Sequence, residues 1–139
     1  MAISFFSEGV KAPKIAKRKT AAWIKAVAEK HGVKVGNITF IFCSDERILK
    51  INRDFLQHDY YTDIITFDYT EDGYISGDIF ISLDTVLSNS RQFNSEYDNE
   101  LHRVIIHGVL HLCGITDKTP DERKIMEQFE NEALQIAEI

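Results

Sequence analysis

The chain has 139 residues, a common single-domain size, so a second domain is not expected. Its 44% hydrophobic and 27% charged content is ordinary for a soluble globule, its two cysteines are too few for a disulfide framework, and no apolar run is long enough to span a membrane. The net charge of −6 weighs against nucleic acid as a partner until its distribution is read: residues 1–36 carry a local +6, with eight Lys or Arg against Glu8 and Glu29, and the remaining 103 residues carry −12. Clustering of that kind is either a phosphate-binding footprint or a solvated basic helix face. The opening MAISFFSEGVKAPK has no basic region leading into a long apolar stretch, so no secretory signal is read there and a cytoplasmic location is expected.

Along the chain, Ile3–Phe6 reads as a first strand. A helix follows from about Thr20, which can cap it; Trp23, Ile24, Val27 and Ala28 line one side, and Gly32 after His31 stops it. The run ITFIFC, Ile38–Cys43, suits a strand buried on both faces. Asp45 begins a short helix through Phe55, and Ile64–Tyr69 and Tyr74–Ser82 form two more strands with Asp72-Gly73 as the turn signal. A helix from about Asp84 precedes one that Ser95 can cap, on which Leu101, Val104, Ile105, Val109 and Leu112 make a broad apolar stripe. The last helix has Thr119 as cap, Pro120 in its first position and Glu122 to complete a capping box. Ile125, Met126, Phe129, Ala133, Leu134 and Ile136 supply its packing face, while Asp121, Glu122, Glu127, Glu130, Glu132 and Glu138 are expected to stay wet and repel polyanions.

The chemistry concentrates in HGVLHLCGITD, His107 to Asp117. Helical positions i and i+4 share a face with Cβ atoms about 5–6 Å apart, so His107 and His111 can reach one ion. Gly114 can take positive φ, end the helix and turn the chain back toward Asp117 as a third ligand. Zinc accepts such a mixed set, and three protein ligands leave a position open for water, which implies catalysis. Cys113 lies about 200° around the helix from His111 and faces away. The spacing is also that of the metzincin peptidases, but these place a Glu general base directly after the first His, where this chain has Gly108. Peptidase activity is therefore not expected, and Gly108 reads as a side-chain-free space where backbone can approach substrate. Arg103 and Glu100 project within about 40° of His107. They either contact a substrate phosphate and orient a ligand histidine, or form an ordinary surface ion pair. His31 and His102 fall outside the site.

The same residues resemble the signature HGxLHLxGYDH of the YbeY family of endoribonucleases: His107, Gly108, Leu110, His111, Leu112 and Gly114 match as they stand. The resemblance runs over roughly residues 35–135. Asn52, Asp59, Thr62, Ile64, Ile65 and Phe67 follow the family's LNxxYRGxDxxTDVLSF segment, and Gly77-Asp78-Ile79 begins its GDIxI strand. The chain departs from the pattern where the family's third histidine falls on Asp117, its preceding Asp on Thr116, and its arginine on Leu56. Two neutral imidazoles with one carboxylate would leave a zinc site near +1 rather than +2, a weaker Lewis acid.

The resemblance implies an α+β, zincin-like single domain over residues 1–139, a mixed four-stranded sheet packed with helices, and one zinc on a central HxxxH helix. It implies hydrolysis of phosphodiester bonds in single-stranded RNA by a metal-held water, in rRNA maturation at the 16S 3′ end and ribosome quality control. Single-stranded rRNA and ribosomal subunits are the implied partners; DNA and membrane are not. The metal set is His107, His111 and Asp117, with Asp117 either a direct ligand or an acceptor behind one. The general base is open between His58 and Asp117, and Arg103, His58 and Thr62 are candidates for binding substrate. A hydrolase of another bond, or a metal-stabilised ribosome-associated module with little activity, are the competing readings.

Overall fold

The computed structural model describes residues 2–55 and 64–137. Four strands, β1 (Ala2–Ser7), β2 (Lys34–Cys43), β3 (Ile64–Asp68) and β4 (Tyr74–Ser82), form one mixed sheet in the order β1-β2-β4-β3. The β1–β2 and β2–β4 pairs are parallel; β3 runs antiparallel to β4, with Ile64 opposite Ile81. Five helices complete the architecture: α1 (Lys17–Lys30), α2 (Asp45–Phe55), α3 (Leu83–Gln92), α4 (Tyr97–Leu112) and α5 (Pro120–Gln135). This is the mixed sheet and helical packing expected. No helix among the described residues is long and apolar enough to cross a membrane.

Strand periodicity of two divides the core. Ile38, Phe40, Phe42, Ile75, Ile79 and Ile81 face one side of the sheet, where Trp23, Ile24 and Val27 of α1 and Val104, Ile105 and Val109 of α4 pack on them. Ile65, Phe67 and Phe80 face the other side and meet Ile48 and Ile51 of α2. Each large apolar side chain so buried contributes roughly 1.5–3 kcal/mol relative to exposure. From Leu101 to Leu112 α4 buries eight residues, so the helix that carries both histidines is anchored by far more than its own hydrogen bonds.

Several local expectations are corrected. Helix α1 starts at Lys17 with Ala16 as an N-cap that makes no side-chain bond, and Thr20 is fully buried instead of capping. Thr20 lies on the face of Ile24 and Val27, so packing drew the helix back one turn past it. Ser95 does not cap α4: Glu96 holds that position, and the Ser95 N–H donates to the Ser90 carbonyl at the end of α3. On α5, Ile125 is 49% exposed, and Glu130, expected in water, is buried at 8%. Gly108 does not open toward substrate either. A Cβ there would lie 2.9 Å from Ile64 Cδ1 and 3.0 Å from Ile79 Cγ2, so the missing side chain lets α4 sit close on β3 and β4.

Candidate metal centre

The end of α4 sets the geometry. Cys113 ends the helix; the Gly114 N–H donates to the His111 carbonyl at 3.0 Å and the Ile115 N–H to the Leu110 carbonyl at 3.1 Å, a Schellman closure that needs Gly114 at φ +94°. The chain then turns back along the helix end. Thr116 Oγ1 donates to Glu122 Oε2 at 2.6 Å and the Lys118 N–H to the same oxygen at 3.2 Å, so a carboxylate in the first turn of α5 clamps both neighbours of Asp117. These bonds hold the Glu122 carboxyl below its ordinary pKa, Thr116 foremost. The expected capping box is made: Thr119 Oγ1 accepts from the Glu122 N–H at 3.1 Å, and the Glu122 carboxylate accepts from the Thr119 N–H while also serving the loop.

This loop brings Asp117 Oδ2 to 3.2 Å from His107 Nε2 and 3.5 Å from His111 Nε2; the two Nε2 atoms lie 3.0 Å apart with their rings nearly perpendicular at 81°. A cation with bonds of about 2.0–2.1 Å in tetrahedral geometry separates adjacent donors by about 3.3 Å. The residues present therefore fit such an ion, and this is a group of three donors able to hold one. The side chains are 21%, 28% and 34% exposed for His107, His111 and Asp117, open enough for solvent to reach the point they share.

His107 Nδ1 lies 2.6 Å from Glu130 Oε2. A carboxylate only accepts, so Nδ1 carries the proton and Nε2 is left with its lone pair toward Asp117 and His111. Glu130 is held in turn by Arg103, Nη1 to Oε1 at 2.8 Å, and Arg103 Nη2 donates to Asn131 Oδ1 at 2.7 Å. The carboxylate that orients His107 thus comes from α5, a residue missed in the sequence. Its signal was present: Glu130 is four after buried Met126 and three before buried Ala133, in the middle of the helix's inward stripe. Burial lowers the pKa of His111, the nearby His107 lowers it further, and Asp117 opposes both. The Cys113 thiol is pushed up to about 11 by burial and stays protonated, which removes it as a ligand or nucleophile at neutral pH.

Two hollows flank these three residues. One, of about 510 Å3, is lined by His107 and Asp117 together with Arg103 and Arg123; the other, of about 340 Å3, by His111 with Ile64, Thr66 and Asp68 of β3. His58 and Thr62, like Leu56 and Asp59, lie outside the described residues.

Comparison with known proteins decides the family. The family model described as Endoribonuclease YbeY matches residues 4–138. The chain belongs to the YbeY family. Among its relatives, Endoribonuclease YbeY of Parabacteroides distasonis is 62% identical over 98% of this chain and 96% of its own length. Those of Bacteroides thetaiotaomicron and Phocaeicola vulgatus are 63% and 65% identical, each over 96% of this chain and 98% and 97% of theirs. The solution structure of TM1509 from Thermotoga maritima superposes with a TM-score of 0.65 at 27% identity, covering 96% of this chain and 90% of that one. Family membership makes the chain an enzyme of the endoribonuclease class, a hydrolase of RNA, and agrees with the resemblance read from HGVLHLCGITD.

Proposed function

We propose that this chain is a single-domain, metal-dependent endoribonuclease of single-stranded RNA, with His107, His111 and Asp117 as ligands of one divalent cation, zinc. The observation that carries the reading is the set of three donor atoms 3.0–3.5 Å apart at the junction of two hollows. Two hollows lined by neighbouring ligand residues give a polymer room to lie across the donors, as internal cleavage requires. The cation supplies Lewis acidity, acidifying water and drawing charge from a phosphoryl oxygen. Glu130 holds His107 in the tautomer that presents Nε2, and burial keeps His111 neutral and able to donate. Asp117 supplies the oxygen donor; with one oxygen engaged, its other can accept a proton from water, and His58 is the alternative base.

Processing of ribosomal RNA at the 16S 3′ end, ribosomal subunits as partners and a cytoplasmic location extend this reading through the family resemblance. His111→Ala tests its core. The variant is expected to keep its far-ultraviolet circular dichroism and lose cleavage of a labelled single-stranded RNA; cleavage equal to the parent, with contaminating nuclease excluded, would overturn it.

A further inference from the structure

Two side chains in the larger hollow have no part in the site so far. Phe93, at the C-cap of α3, is 65% exposed, yet its backbone is fixed: its N–H donates to the Asn89 carbonyl at 2.9 Å and the Ser95 N–H to the Ser90 carbonyl at 2.9 Å. It is an exposed aromatic ring carried on a hydrogen-bonded backbone. Arg123, in the first turn of α5, is exposed and its guanidinium has no hydrogen bond or ion pair among the described residues, whereas Arg103 spends both terminal nitrogens on Glu130 and Asn131. Phe93 and Arg123 line the same 510 Å3 hollow as His107 and Asp117.

That volume falls within the range of small-ligand sites and admits a nucleotide. An exposed aromatic face stacks an unpaired base, which a duplex cannot offer, and an unengaged guanidinium takes a phosphate. Resting on the endoribonuclease reading, we propose that this hollow seats the nucleotide beside the cleaved bond, its base on Phe93 and its phosphate on Arg123. The subsite supplies a physical origin for single-strand preference. Glu127 lines the same hollow and repels the phosphate, which tempers affinity.

The test is fluorescence anisotropy of a labelled, phosphorothioate-linked single-stranded RNA on the zinc-loaded full chain, beside the same strand in a duplex. Phe93→Ala should weaken single-strand binding about tenfold and erase the preference over duplex, while Phe93→Tyr retains both. Arg123→Gln should weaken binding about fivefold and reduce the slope of log affinity against log salt by about 0.7; Glu127→Gln should tighten binding. Unchanged affinity in Phe93→Ala and Arg123→Gln, or equal loss in the alanine and tyrosine variants, would overturn the proposal. A parent protein that binds the probe but fails to cut the ordinary phosphodiester strand would sink the endoribonuclease reading and leave the subsite to be judged by binding. One that does not bind at all would sink both.

Discussion

Glu130 on α5 and His107 on α4 meet at 2.6 Å, and that single contact ties the last helix of the chain to the orientation of the first histidine. Carboxylates in this position fix the tautomer and raise the basicity of a ligating imidazole, and their loss costs about 10–100-fold in metal affinity. Glu130→Gln is therefore expected to lower zinc affinity by that factor in a chelator-competition titration, with the fold kept because the amide oxygen still accepts from Arg103. Affinity equal to the parent's would separate α5 from the site.

Asp117 is tested by two substitutions read together. Asp117→Ala should lose at least about tenfold in zinc affinity, while Asp117→His, which restores a nitrogen donor compatible with zinc, should retain it. If both variants bind as the parent does, the carboxylate is not a ligand.

Gly108 makes a packing prediction. A methyl group there meets Ile64 and Ile79 at 2.9–3.1 Å, contacts that core side chains can relieve only by moving. Gly108→Ala should cost about 1–3 kcal/mol in urea unfolding of the metal-free protein. A midpoint at or above the parent's would mean that α4 does not rest on β3 and β4 as closely as described.

The lowered pKa of His111 gives a pH dependence with a definite sign. In the metal-free chain the unfolded state, with histidine near 6.5, takes up a proton at higher pH than the folded state, whose burial resists it. Stability should therefore be full above about pH 6.5 and fall as pH drops below that value, flattening once the folded state also protonates. The slope of Tm against pH between 5 and 7 should be shallower in His111→Gln. A parental slope no steeper than the variant's would contradict the cause assigned to the shift.

What the sequence made legible was local. The pair His107 and His111 is defined by helical periodicity alone, and Gly114 and Asp117 follow within six residues, so the three donors could be named without a fold. The strand at Tyr74–Ser82 and the helix at Asp45–Phe55 were likewise readable, because their apolar spacing and turn residues agree with the packing they enter. What escaped were relations between distant segments. Glu130 looked like one more acid on a wet face because its partner lies 23 residues away, Gly108 looked like space because the isoleucines filling it sit on other elements, and Thr20 looked like a cap because the packing that moved the helix start is tertiary; Ser95 differs, its N–H closing the end of α3 locally.

Anomalous diffraction at the zinc edge from a zinc-loaded crystal tests the centre most directly. The account predicts one peak within about 2.0–2.2 Å of His107 Nε2, His111 Nε2 and an Asp117 carboxylate oxygen, with no fourth protein ligand. A peak elsewhere, or a cation closed off by a fourth side chain, would contradict it.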